Sequence, residues 1–226
     1  MGVIHELEAV AEGAIAGLQA QQRDWSPFVA HFTTASAMLP LRGIWKNPLD
    51  PATVQQLLAP ADATSWATFQ KIMASGKILA SSLPSGSIGN PRVCLSECTL
   101  PGLISHTERF GRFGLVFRKS DILSVGGGSC VYVSRPAYGA LVGQRANSSE
   151  FQRLSDLANV HSPPGSGAVQ DFTHEREWRV VGDIDLRTVT PVAFVVPSVD
   201  YIGGLPAQCD PRIPVVPLKL LQRWGV

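Results

Sequence analysis

Apolar residues recur at helical spacing over residues 3–22 (Val3, Ile4, Leu7, Val10, Ala11, Ala14, Ile15 and Leu18), which predicts an amphipathic helix. Its stripe must be laid on something, either the body of the domain or another chain. Ser26-Pro27 breaks the pattern, and Phe28 to Thr34 then reads as a short strand with His31 opposite Phe32. Residues 40–63 contain Pro40, Pro48, Pro51 and Pro60 and read as an irregular connection with room for a short helix from Ala52 to Leu58. Thr64 or Ser65 can cap a helix bearing Trp66, Phe69, Ile72 and Met73, which Gly76 ends before a short strand or exit segment at Lys77 to Ala80. The stretch Ser81 to Pro91 reads as a surface loop.

The second half is denser in strand patterns. Arg92 to Glu97, the end of Phe110 to Phe117, Cys130 to Ser134, Phe172 to Val181 and Val192 to Val196 all read as strands. Between them fall a short helix near Leu103 to Glu108, a helical turn at Ser120 to Leu123 and a glycine turn at Gly126 to Gly128. A helix capped by Ser148 and carrying Phe151, Leu154, Leu157 and Ala158 follows, then a linker at Ser162 to Gly167. Val199 to Ile202 reads as a turn or short helix, and Pro214 to Trp224 as a closing strand or helix. Helices separating strands in the first half and strands gathered in the second predict an α+β fold. The expected organisation is an N-terminal helix in residues 1–25 followed by one domain, 26–226, with a mixed, mainly antiparallel sheet flanked by helices.

Charge is concentrated in one of these strands. In Phe172 to Val181 the strand period sets Glu175, Glu177 and Arg179 on one face and Arg176, Trp178 and Val180 on the other. Two carboxylates about 7 Å apart beside a guanidinium suit a solvated sheet face or the wall of a polar cleft.

Composition narrows the classes. With 226 residues, 45% of them hydrophobic and 16% charged, the chain can fill a substantial core. A net charge of +1 argues against a strongly basic nucleic-acid platform and leaves nucleic acid as a substrate. No apolar run reaches the roughly 18 to 20 residues a membrane span needs, and the first residues lack the pattern of a signal peptide, so a cytoplasmic protein with no membrane partner is expected. Cys94, Cys98, Cys130 and Cys209 lack paired CxxC spacing and a Cys/His partner set; we expect buried thiols, with neither a disulfide nor a metal. There is no G-x-S-x-G, HExxH or P-loop motif, and Gly126 to Gly128 has neither the spacing nor the context of a dinucleotide fingerprint. A two-carboxylate glycosidase remains chemically open.

An ordered set of blocks carries a resemblance. His31-Phe32-Thr33, Val93 to Leu100, His106, Phe110 to Lys119, Val131-Tyr132-Val133 and Glu175 to Arg179 together resemble abortive phage infection proteins of the AbiGi type. They are spread over residues 28–202, leaving the first 25 residues and the 40–63 stretch outside the likeness. That family is catalogued as antitoxins, which implies a setting of phage defence and a cognate toxin or antitoxin as partner.

His31-Phe32-Thr33 and Glu175-Arg176-Glu177 are also similar, more remotely, to the first and last motifs of ADP-ribosyltransferases, with Ser96-Glu97 a loose match to the middle one. This resemblance implies NAD as co-substrate. Glu177 would stabilise the oxocarbenium-like charge that develops as the nicotinamide–ribose bond breaks, and Glu175 would orient or deprotonate the acceptor. His31 would bond a ribose hydroxyl with Thr33 and Ser96 in support, and Arg109 or Arg112 would pair with the pyrophosphate. Tyr132 and Phe110 are the candidates to stack on nicotinamide.

Two functions follow. One is an ADP-ribosyltransferase of a defence or toxin–antitoxin system, modifying nucleic acid or protein. The other is a noncatalytic antitoxin or interaction module, for which the N-terminal helix offers a contact surface and a route to a homo-oligomer. The first requires the side chains of His31 and Glu177 to share one cleft.

Overall fold

The computed structural model describes residues 26–33, 51–81, 90–97, 99, 107, 111–161 and 176–223. The amphipathic stretch 3–22, and with it the expected 1–25 unit, lies outside them, as do Cys98, Arg109, Phe110 and Glu175. Among the described residues, eleven strands and five α-helices follow in chain order: β1 (Phe28–Phe32), α1 (Pro51–Ser75), β2 (Lys77–Ile78), β3 (Arg92–Glu97), β4 (Gly114–Arg118), α2 (Lys119–Ser124), β5 (Gly128–Ser129) and β6 (Val131–Ser134). Then come α3 (Arg135–Gln144), α4 (Ser149–Leu157), β7 (Ala158–His161), β8 (Glu177–Val181), β9 (Ile184–Asp185), β10 (Ala193–Val196), a 3-10 turn (Val199–Gly204), β11 (Val215–Pro217) and α5 (Leu218–Arg223).

Seven strands form one sheet in the order β11-β10-β4-β1-β3-β8-β5. Only the β10–β11 pair is parallel, so the fold is α+β with a mainly antiparallel sheet, as the strand pattern predicts. Alternation along each strand sorts the side chains into two layers. Val29, Leu95, Leu115, Phe117, Trp178, Val180, Phe194 and Val196 join Phe69, Ile72 and Met73 of α1 in the larger core. Ala30, Phe32 and Val195 point the other way and meet Leu218 and Leu221 of α5. The sheet is therefore covered on both sides at β1 and β10, and β8 too is buried on both faces.

Helix α1 is longer than its sequence suggests. It begins at Pro51, where a missing N–H costs nothing, and continues through Pro60, so that residues 51–63 of the stretch expected to be irregular are helical, while 40–50 lie outside the described residues. Its last turns are held by packing: Trp66 lies 5.0 Å from Phe113 and 5.5 Å from Tyr201, centroid to centroid. Helix α3 and strand β7 have no counterpart in the sequence reading. They form with β6 and α4 a small lobe, β6–α3–α4–β7, whose two strands pair in parallel. Among the described residues no helix is long and apolar enough to cross a membrane.

One backbone approach pins the strand pair β1–β4 to α1. Gly111 has φ of +117°, and a Cβ there would stand 2.4 Å from the Thr33 carbonyl oxygen. Gly111→Ala should therefore lower stability by about 1–3 kcal/mol, read as a fall in the urea midpoint at unchanged slope.

Candidate functional site

The charged strand places its carboxylate and guanidinium in the interior. Glu177 is 7% exposed and Arg179 is 1% exposed. Being two residues apart on one strand, they share a face, and Arg179 grips Glu177 with both edges of its fork: Nε donates to Oε1 at 2.8 Å and Nη2 to Oε2 at 3.0 Å. Asn159 Nδ2 donates to the same Oε2 at 3.1 Å, and the Glu177 N–H donates to the Tyr132 hydroxyl at 3.4 Å. Both carboxylate oxygens are thus occupied.

The lobe is fastened to the sheet through these groups. Arg179 Nη1 donates to the Ala158 carbonyl, and Arg92 Nη1 to the Asp156 carbonyl at 2.7 Å, so two guanidiniums from the sheet meet the carbonyls at the end of α4. Asp156, also buried, pairs with Arg145 Nη1 at 2.8 Å and accepts from the Asn90 side chain at 3.1 Å. The expectation of a solvated face or an open cleft wall for Glu177 and Arg179 is corrected here: the lobe covers that face.

Burial alone raises the Glu177 carboxyl pKa, but the hydrogen bonds and charge of Arg179, with Cys94 and Asn159 adding, outweigh it and hold the group below the usual carboxylate range. Arg179 is held above its ordinary value against the effect of burial, chiefly by hydrogen bonds to Glu177. The two thiols beside the pair are pushed the opposite way. Burial and the Glu177 carboxylate raise Cys94, and burial raises Cys130 to about 12 even though Arg179 opposes it, so both are protonated thiols at neutral pH.

The other sequence candidates fall in three places. Ser96 pairs directly with Glu177 across β3 and β8, and Tyr132 meets the Glu177 backbone, so Ser96, Tyr132 and Glu177 come together. Thr33 and Arg112 do not join them. Thr33 Oγ1 donates to the Ser65 carbonyl at 3.0 Å, and Arg112 is paired with Asp62, so both are ties to α1 on the other side of the sheet. Glu175 and Arg109 lie outside the described residues. Arg176, between the two glutamates, has φ of +43°, so the regular alternation begins only at Glu177.

His31 occupies the seam between β1 and β3. The ladder there consists of Val29–Glu97 and Ala30–Ser96 and stops, and beyond it the His31 Nδ1 bonds the Cys94 carbonyl at 3.0 Å. An N–H donor on Nδ1 matches that acceptor, leaving Nε2 as the unprotonated nitrogen. Burial holds the imidazole pKa below its ordinary value, partly offset by the Cys94 carbonyl. The registers Ala30–Ser96 and Ser96–Glu177 put those three side chains on one face. By alternation His31 projects from the opposite face, with Val29 and Leu115. The requirement of a shared cleft for His31 and Glu177 is not met by the strand registers.

Sequence reasoning missed Arg92, Asp156 and Asn159. Only the Glu-x-Arg pair had a local signature, since Arg92 and Asp156 are 64 positions apart and meet through the fold. No family model matches the chain, and no curated protein or solved structure matches it.

Removing one member of the buried pair strands the other's charge. Arg179→Met should destabilise by about 3–5 kcal/mol in urea unfolding, and adding Glu177→Leu should restore part of the loss. Because the folded Glu177 pKa is depressed, its contribution is present above the unfolded value of about 4.3 and lost as pH falls through the folded one. Midpoints measured below about pH 4 should fall less steeply in Glu177→Gln than in wild type. His31 has the opposite charge type and a lowered pKa, so below about pH 6.5 the unfolded chain binds the proton first and stability drops; His31→Gln should flatten the slope between pH 7 and 5.

Proposed function

We propose that this protein is a noncatalytic interaction module, the antitoxin or partner-binding component of the abortive-infection setting that the AbiGi-type blocks imply. The observation that carries the reading is the α3–α4 hairpin. Helix α3 fully buries none of its side chains and leaves Tyr138, Leu141 and Val142 half-buried. Helix α4 is turned inside out: it buries Ser155 and Asp156 and leaves Phe151 and Leu154 exposed at 41% and 38%. A helix that spends its polar side on the domain and offers its apolar side to solvent is organised for a protein partner. The engaged state of Glu177 supports the noncatalytic part, since a carboxylate neutralised by a bidentate guanidinium has little charge left to offer an oxocarbenium ion.

A second reading has an observation of its own. The strands bearing His31, Ser96 and Glu177 are consecutive in the sheet, and Ala30, Ser96 and Glu177 lie at one level across them. That order is compatible with an ADP-ribosyltransferase-like scaffold that uses NAD, either active on a nucleic-acid or protein acceptor or retained without chemistry.

Nicotinamide release from NAD, measured with and without DNA, RNA and cell lysate, separates the two. The module reading expects no turnover from wild type and a lower melting temperature for Glu177→Gln. Acceptor-dependent release that Glu177→Gln abolishes without loss of stability would replace it with the transferase. The double variant Phe151→Ser, Leu154→Ser should change stability by less than about 1 kcal/mol, because both side chains are exposed, yet abolish protection of cells against phage. Undiminished protection would sink the assignment of this face.

A further inference from the structure

The exposed apolar side of α4 has a counterpart in the same chain. Residues 3–22 carry Val3, Ile4, Leu7, Val10, Ala11, Ala14, Ile15 and Leu18 at helical spacing, and no proline interrupts them. Gly13 and Gly17 fall inside that stretch, and each costs a helix about 1 kcal/mol relative to alanine. A helix of this composition is marginal in water and forms when its stripe is laid on an apolar surface.

The chain brings this stretch to the lobe. Only Arg23, Asp24 and Trp25 separate it from Ser26, whose N–H donates to Glu97 Oε1 at 3.1 Å. The Glu97 N–H in turn donates to the carbonyl of Arg176, one residue before the Glu177 that holds Tyr132 and Asn159 of the lobe. A tether this short presents the stretch at an effective concentration of about millimolar, so a shallow face built on Phe151 and Leu154 suffices. As a helix, residues 3–22 span about 30 Å, enough to cover the roughly 14 Å of α4. Charge agrees: Glu6, Glu8 and Glu12 precede any lysine or arginine in the sequence, while the α3–α4 hairpin exposes Arg135 and Arg153 against Glu150.

We propose that residues 3–22 dock as a helix, apolar stripe inward, on the Phe151 and Leu154 face of α4 in their own chain. Resting on the reading of that face as a partner site, this makes the segment its built-in cover. A partner must displace it, and the apparent affinity falls by the fraction of chains that are covered.

The test is hydrogen exchange of the full chain, read by mass spectrometry, with β4 as the control for an intact fold. In wild type, residues 3–22 should be protected. Leu7→Asp, Leu18→Asp should speed exchange in residues 149–157 by about tenfold, and Phe151→Ser, Leu154→Ser should do the same to residues 3–22. Ala9→Asp, Ala20→Asp, at the same spacing on the opposite side of the helix, should leave 149–157 unchanged. Unprotected residues 3–22 in wild type, or protection indifferent to Phe151→Ser, Leu154→Ser, would overturn the docking. So would an equal effect of both aspartate pairs, which reports helix propensity alone, and protection that fades on dilution, which assigns the face to a second copy. Should Leu7→Asp, Leu18→Asp fail to fold, the α4 variant decides. Exchange needs no partner, so its outcome is independent of whether Phe151→Ser, Leu154→Ser loses protection against phage.

Discussion

Arg179 gripping Glu177 beneath the lobe is the contact on which the arrangement of this molecule depends. A guanidinium at 1% exposure is tolerable only because its fork is filled by one carboxylate and by carbonyls at the end of α4. The same carboxylate takes Asn159 from β7, while its backbone N–H reaches Tyr132 on β6. One strand residue is therefore bound to both strands of the lobe, and the lobe's position over the sheet follows from satisfying that pair. Polar contacts carry much of this junction, since α4 buries Ser155 and Asp156 there.

The Glu177 carboxylate accepts from Arg179 on both oxygens and from Asn159 on one. Thr33 and Arg112, paired with α1, are spent in the same way on holding the sheet to its helix. His31 closes a gap where the β1–β3 ladder stops after two pairs. Each of these polar residues satisfies a buried partner.

The strands were legible because their period is local. The strand before Arg118 and the strand ending at Val196 are near-continuous apolar runs, as strands packed on both faces should be, and Arg92 to Glu97 has an apolar centre at Val93-Cys94-Leu95. The Ser148 cap was equally plain, a hydroxyl accepting from the Phe151 N–H at 3.2 Å. Helix α1 was misjudged because prolines weigh heavily in local reasoning, while the packing of Trp66, Phe69 and Ile72 against the sheet is long-range. Which side of α4 is covered could not be read locally: Asp156 and Ser155 are claimed by Arg145, with Asn90 also bonding Asp156, while Phe151 and Leu154 stay exposed.

By itself, then, the sequence determined the α+β character, the central strands of the sheet and the shared face of Glu177 and Arg179, all of which follow from side-chain period and turn chemistry within a few residues. Only the tertiary structure decided what that face meets. Whether a Glu-x-Arg strand looks onto water, substrate or a buried lobe depends on partners such as Asn159 and Ala158, brought in by strand order. It likewise decided that His31 and Glu177 project from opposite faces, because relative facing across three strands is set by register, and register belongs to pairing between segments 60 and more residues apart.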